Sequence, residues 1–380
     1  MRIGIFGGSF DPVHKEHVRL AESAVKELSL DRLYVMPAHT PPHKRGKTLS
    51  SDEDRFEMCR IAFAHIPGVQ VSDYEMKKGG TSYTYLTCRH FAGEFPGAEL
   101  FWLVGTDMLR DFPTWREPED ILKNAVLAVC ARAEEKGWAE REQKAFSERF
   151  GKKFSVIGYE GKDVSSTRVR VLTAAGEKIA PYVGGEVADY IRDKGLYRIK
   201  NAPEALALEK PSRREHSIRV AFLAAERAPA LHIDERKAVT AALFHDCAKN
   251  LPPDSPLLAG FVPPEGVPGP VLHQYAGAYV AARLGVTDEE ILDAIRYHTS
   301  GRPDMAPLEK LIFLSDLLEA GRQFEGVDRL RALFWNEKES LDECMEAALS
   351  DTLSYLREKG GEVYPLTESA YLFLKNKKPE

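Results

Sequence analysis

The sequence predicts two domains of different class: an α/β domain with a parallel sheet over residues 1–200, then an all-α domain over 213–375, joined by a linker at 201–212. Three observations carry this expectation. A chain of 380 residues is long for one hydrophobic core and comfortable for two. Up to about Lys200, short apolar runs alternate with amphipathic stretches, as strands alternate with crossover helices. Beyond Lys200 the strand-like runs largely disappear and helical spacing takes over.

Taken in order, Ile3–Phe6, Leu33–Met36, Leu100–Val104, Ala125–Ala131 and Phe154–Ile157 are apolar runs of strand length, suited to a sheet buried on both faces. Val18–Leu28, Asp52–Ala64, Tyr83–Phe91 and Glu119–Leu122 read as the helices between them. Such a sheet binds ligands outside the carboxyl ends of its strands. The stretch Asn201–Arg213 carries Pro203 and Pro211 and reads as the linker, with enough Ala and Leu to allow a helical piece. Helical spacing then marks Glu215–Arg227, Glu235–Cys247, Gln274–Leu284, Asp288–Tyr297, Pro307–Leu318 and Ser340–Glu358. Seven prolines between Pro252 and Pro270 predict a rigid surface loop beside the second cluster of chemical residues, and Lys375–Glu380 reads as a solvated tail.

Composition narrows the function classes. With 43% hydrophobic and 29% charged residues the chain falls among ordinary soluble globular proteins, and a net charge of -6 favours neither nucleic acid nor anionic lipid. Phosphate recognition must therefore come from local basic residues. Five scattered cysteines without a C-x-x-C pair argue against a disulfide framework or a zinc knuckle and fit a reducing cytoplasm. The opening Met1–Phe6 enters a strand pattern directly, so no signal peptide is expected, and no apolar run approaches the roughly 20 residues of a membrane helix. The expected partners are small molecules, with room for a homo-oligomer.

The first cluster is Gly7-Gly8-Ser9-Phe10-Asp11-Pro12-Val13-His14-Lys15-Glu16-His17. A strand ending in a glycine pair and leading into a helix aims backbone N–H groups and a helix N-terminus at one point, which is a phosphate site. His14 and His17, three apart, can share one side of that junction and donate to phosphate oxygens as charge develops. The string resembles the signature of nicotinate-nucleotide adenylyltransferases, normally G-G-[ST]-F-D-P-x-H-x-G-H. Four further blocks are similar to that family and follow in order: Pro41-Pro42-His43-Lys44, Ser82-Tyr83-Thr84, Val104-Gly105-Thr106-Asp107 with Phe112-Pro113-Thr114-Trp115, and Val164-Ser165-Ser166-Thr167-Arg168-Val169-Arg170.

The resemblance implies a Rossmann-like nucleotidyltransferase domain that takes ATP, with Mg2+, and nicotinate mononucleotide. His14, His17, Lys44 and Arg170 would be catalytic. Gly7, Gly8, Ser9, Phe10, Ser82, Tyr83, Thr84, Gly105, Asp107, Trp115, Ser166 and Thr167 would bind the nucleotides. The chemistry suits those types: Arg170 can grip phosphate bidentately, Lys44 supplies a flexible point charge and Trp115 offers a flat face to a pyridine ring. Two positions depart from the pattern. Leu86 stands where an aspartate is common, and Glu16 replaces a glycine; Glu16 is expected to point outward, because inward it would place an anion beside the phosphate site.

The second cluster is His216, His245-Asp246, His273, His298 and Asp316. A lone buried histidine is more often a packed residue than a ligand, but an adjacent His-Asp pair within an ordered H…HD…D set suits a divalent transition metal such as iron. The pattern resembles the HD phosphohydrolase superfamily. Arg213-Arg214-Glu215-His216, Leu243–Lys249, Tyr297–Gly301 and Ser315–Glu319 are similar to bacterial HD-domain diadenosine tetraphosphate hydrolases of the YqeK type. That likeness implies His216, His245, Asp246 and Asp316 as metal ligands, with Asp246 also catalytic, and symmetrical cleavage of diadenosine tetraphosphate to ADP. Arg213 and Lys249 would hold phosphates, while His273, His298 and Thr299 would line the substrate side or, for the two histidines, hold a second metal. Two alternatives stay open: another nucleotide substrate, or a nucleotide-binding regulatory module without turnover.

Overall fold

The computed structural model describes residues 1–42, 49–132, 134–161, 164–336 and 340–377. The chain divides into two compact units, Met1–Val169 with Ile179–Leu196, and Arg170–Lys178 with Tyr197–Glu380.

Among the described residues the first unit is built on six strands, β1 (Arg2–Gly8), β2 (Arg32–Pro37), β3 (Val69–Val71), β4 (Glu99–Gly105), β5 (Val126–Arg132) and β6 (Ser155–Tyr159). They form one sheet in the order β3-β2-β1-β4-β5-β6, and every pairing is parallel. Parallel neighbours need crossovers, and the chain supplies them as α1 (Lys15–Glu27), α2 (Asp52–Phe63), α3 (Tyr74–Lys78), α4 (Thr84–Glu94), α5 (Thr106–Asp111), α6 (Pro118–Asn124) and α7 (Lys136–Phe150). After β6 come α8 (Ser166–Ala174), α9 (Ala180–Val183) and α10 (Gly185–Lys194). Ile3, Ile5, Leu127 and Val129 are fully buried, as strands covered on both faces require. The strand order reverses direction between β1 and β4, so the carboxyl ends of those two strands flank the crevice where such sheets bind ligands.

The second unit is helical: α11 (Ala202–Ala207), α12 (Pro211–Arg227), α13 (Glu235–Phe244), α14 (Leu272–Arg283), α15 (Glu289–Arg296), α16 (Pro307–Leu318), α17 (Val327–Phe334), α18 (Asp342–Glu358) and α19 (Pro365–Asn376). Helix α13 is buried without a break from Ala238 to Phe244 and forms the centre of the unit. Helix α15 shows the opposite habit, burying Ile291, Leu292, Ala294 and Ile295 on one face.

The fold class matches expectation, an α/β unit with a parallel sheet followed by an all-α unit. Several elements differ from the sequence reading. β3 is only three residues, Val-Gln-Val, too short for a periodic signal. α7 buries only Ala139 and Phe146 along fifteen residues, so its polar surface hid it. The stretch expected as linker contains α11, the helical piece its Ala and Leu content allows, and it buries Ala202, Ala205 and Leu206 fully where an exposed linker would not. The supposed tail is corrected as well: Lys375 belongs to α19, while residues 378–380 lie outside the described ones. The proline-rich loop is mostly exposed and is pinned to α14, since Tyr279 Oη (2.6 Å) and Arg283 Nη1 (2.8 Å) both donate to the Ala259 carbonyl. All five cysteines are buried free thiols, and among the described residues no helix is long and apolar enough to cross a membrane.

Candidate active sites

A cavity of about 730 Å3 opens at the carboxyl ends of β1 and β4. Gly7 and Gly8 form part of its wall because nothing larger fits: a Cβ on Gly7 would sit 2.7 Å from the Trp102 ring, and one on Gly8 2.9 Å from Phe10. β1 then gives way to α1, with His14 at the N-cap and His17 in the first turn. Their rings stack at 3.7 Å, and the His14 backbone N–H donates to His17 Nδ1 at 3.1 Å. Because Nδ1 of His17 accepts, its neutral ring carries the proton on Nε2, leaving a donor. Burial pushes the His14 imidazole down to about 4, so His14 is neutral near pH 7. Its Nδ1 is buried with no hydrogen-bond partner among the described residues.

Of the expected residues, Gly7, Gly8, Ser9, His14, His17, Ser82, Tyr83, Thr84, Gly105 and Trp115 all line this cavity. Phe10 does not line it; it is buried beneath, with its ring edge-on to His17 at 4.9 Å. Asp107 is exposed in the first turn of α5. Ser166 opens α8 and its hydroxyl donates to the Pro12 carbonyl at 2.9 Å, tying that helix start to the β1–α1 turn; Thr167 follows it. Arg170 forks the Glu235 carboxylate, with Nε to Oε1 and Nη2 to Oε2 both at 2.8 Å. Lys44 lies outside the described residues.

Glu16 is a correction. Expected to point outward, it is buried at 4% exposure, lines the cavity beside the two histidines and pairs with Arg19. The outward expectation followed from the cost of a carboxylate near a phosphate site; the half-exposed Arg19 guanidinium one turn along α1 offsets only part of that cost. Leu86 lies off the cavity wall. The sequence reading missed Glu75, Arg116, Arg132 and Tyr159, which also line the cavity. Arg116 directly follows Trp115 and stacks on the Tyr83 ring at 4.7 Å, a placement only the folded chain reveals.

In the second unit the expected ligands meet from five helices. His216 comes from the middle of α12, His245 and Asp246 from the end of α13, His273 from α14, His298 from just beyond α15 and Asp316 from α16. Three groups, His216/His245/Asp246, His245/His298/Asp316 and Asp246/His273/His298, each bring their ligand atoms within 4.8 Å of one another. Asp246 is fully buried; its Oδ1 faces His273 Nε2 at 3.4 Å, His298 Nε2 at 3.5 Å and Lys249 Nζ at 3.5 Å, while Arg213 Nη1 reaches Oδ2 at 2.9 Å. Thr299 Oγ1 lies 3.1 Å from His273 Nε2.

Each histidine is turned the same way. Nδ1–H of His245 donates to Ala242 O (2.7 Å), that of His298 to Ile295 O (2.7 Å), that of His273 to Pro270 O (2.9 Å) and that of His216 to Glu319 Oε1 (3.0 Å). Oxygen acceptors at all four Nδ1 atoms leave the four Nε2 atoms for the cluster. Burial would raise the Asp246 and Asp316 carboxyls, but neighbouring imidazoles outweigh it and hold both well below the usual range. Burial pulls His245 down, and Asp246 with Asp316 and Glu209 overcomes it, leaving the imidazole at about 9. His273 is pushed down to about 3 by burial and by His298 and Lys249.

The donor set fits a divalent ion on the structure's own terms. His216 Nε2, His245 Nε2 and Asp246 Oδ1 are buried and make no well-formed hydrogen bond among the described residues. His216 Nε2, its ring proton already given from Nδ1, lies 2.9 Å from Asp316 Oδ1, and two facing lone-pair atoms are an arrangement that a shared cation relieves.

Comparison with known proteins agrees with this division. A family model described as cytidylyltransferase-like matches residues 5–172, and one described as HD domain matches residues 213–321. A Mycoplasma pneumoniae protein named "Probable nicotinate-nucleotide adenylyltransferase/Ap4A hydrolase" is 31% identical over 93% of this chain and 98% of its own length. The chain belongs to that family of two-domain nicotinate-nucleotide adenylyltransferase/Ap4A hydrolases. The Mycoplasma genitalium protein of the same name is 30% identical over 85% of this chain and 89% of its own length. A Clostridium botulinum protein named "Probable nicotinate-nucleotide adenylyltransferase" is 35% identical over 98% of its own length but only 52% of this chain, so members of this family carry a second half that the single-domain relatives lack.

Proposed function

We propose that the chain carries two separate activities. In the first unit, a phosphate oxygen of nicotinate mononucleotide attacks the α-phosphorus of ATP, the bond to the β-phosphate bridging oxygen breaks, and pyrophosphate leaves with deamido-NAD as product. The observation that carries this reading is the stacked His14–His17 pair at the β1–α1 turn, lining one cavity with Tyr83, Thr84 and Trp115. His17 would donate from Nε2 to the transferred phosphoryl group, and the N-terminal N–H groups of α1 would share its charge. Ser166, Thr167 and Lys44 are assigned to the ATP phosphates by their motifs, Arg170 by its motif alone because it falls in the second unit with its guanidinium forked on Glu235, and Phe10 supports His17 from below. Asp107 and Gly105 are assigned to the nucleotide, and Mg2+ would arrive with ATP. No covalent nucleophile is needed; positioning and charge stabilisation suffice.

In the second unit we assign His216, His245, Asp246 and Asp316 to a divalent metal, iron being one fit for the imidazole-rich set. Such an ion, when bound, polarises a phosphoryl oxygen and activates water. Arg213 and Lys249 would hold phosphates, and His273, His298 and Thr299 would face the substrate. The proposed reaction is hydrolysis of diadenosine tetraphosphate at its central bridge, and the test is the product pattern with the purified, metal-loaded chain. ADP alone supports symmetrical cleavage, whereas ATP plus AMP contradicts it. Deamido-NAD and pyrophosphate formed from ATP and nicotinate mononucleotide support the first assignment.

A further inference from the structure

We infer that Glu319 is a positioning residue for the metal centre, holding His216 by its Nδ1–H so that Nε2 faces the His/Asp cluster; this rests on the metal-centre reading above. His216 has a problem that its partners lack. His245, His273 and His298 sit at helix or loop ends, where each tethers Nδ1–H to a carbonyl three residues back. His216 lies within α12, where those carbonyls serve the helix's own hydrogen bonds, so its acceptor must come from another element.

Glu319 supplies it from the C-cap of α16, three residues beyond Asp316. The carboxylate is 2% exposed and is fixed from every side. His216 donates to Oε1 at 3.0 Å, Arg219 Nε to Oε2 at 2.5 Å, and the Gly321 backbone N–H to Oε2 at 2.6 Å. Arg219 is one turn beyond His216 on the same helix, so α12 presents the imidazole and the cation that pins its acceptor together. A Cβ on Gly321 would lie 2.9 Å from the Arg219 guanidinium, so glycine there leaves Arg219 room beside the carboxylate. A carboxylate on the far nitrogen fixes the tautomer and raises the basicity of a ligating imidazole more than a carbonyl does.

The test is calorimetric titration of the intact chain with Zn2+ and with Mn2+ at fixed pH, beside its thermal midpoint without metal. Glu319→Ala is expected to bind either ion about 10–100-fold more weakly than wild type. Glu319→Gln, which keeps an oxygen acceptor but loses the charge, is expected between the two. A folded Glu319→Ala chain that binds both ions within about threefold of wild type overturns the inference. Should the alanine variant not fold, the isosteric Glu319→Gln decides: affinity equal to wild type overturns the inference and weaker binding supports it. A wild-type chain that takes up neither ion overturns it together with the metal centre.

Discussion

His14 and Glu16 show how two neighbouring side chains on one turn acquire opposite electrostatic problems. His14 is neutral because it is buried, with its folded value near 4 against an unbonded value of 6.5. Between those two values the unfolded chain binds the proton more readily, so the stability gained by keeping His14 neutral is complete above about pH 6.5 and is lost as pH falls toward 4. A His14→Gln variant should therefore lose less thermal stability than wild type between pH 7 and pH 5; parallel midpoint curves for the two proteins would contradict this. Glu16 has the reverse difficulty, a carboxylate on the wall of a cavity assigned to polyanions. At separations of about 8 Å and an effective dielectric near 20, a like charge costs on the order of 1–2 kcal/mol. Glu16→Gln is accordingly expected to lower the KM for ATP roughly five- to tenfold at low salt, with a smaller gain at high salt.

At the scale of elements, the β1–α1 turn depends on close contact between strands. Gly7→Ala would push a methyl into the Trp102 ring on β4 and cost about 1–3 kcal/mol, read as a lower urea midpoint for the first unit. Because Trp102 also lines the cavity, KM for both substrates should rise in the same variant. β1, β2, β4 and β5 were legible in the sequence because buried parallel strands are nearly uninterrupted apolar runs. β3 and α7 were not, one being too short for periodicity and the other mostly exposed. The histidines and aspartates of the cluster were legible from their types and order, and the fold brings them together. Glu319 was visible but had no assigned role, since its meaning lies in a contact to a residue 103 positions away. Glu16 was read with the wrong orientation because its compensating partner, Arg19, is recognisable only once α1 is folded.

At the scale of the whole molecule, each unit has its own core and its own constellation of chemical residues. A divalent ion that binds the folded second unit at a hundred times its Kd adds about 2.7 kcal/mol, which for a unit of this size raises the thermal midpoint by roughly 5–10 °C. A chelator should reverse that rise, Asp246→Ala should abolish it, and His17→Ala should leave it intact; a midpoint indifferent to both metal and chelator would contradict the assignment. The central claim, two independent activities on one chain, is tested most directly by assaying wild type, His17→Ala and Asp246→Ala side by side for deamido-NAD synthesis and for diadenosine tetraphosphate cleavage. The account predicts that His17→Ala loses only synthesis and Asp246→Ala loses only cleavage. Loss of both activities in either folded variant, or no nucleotide cleavage by metal-loaded wild type, would contradict it.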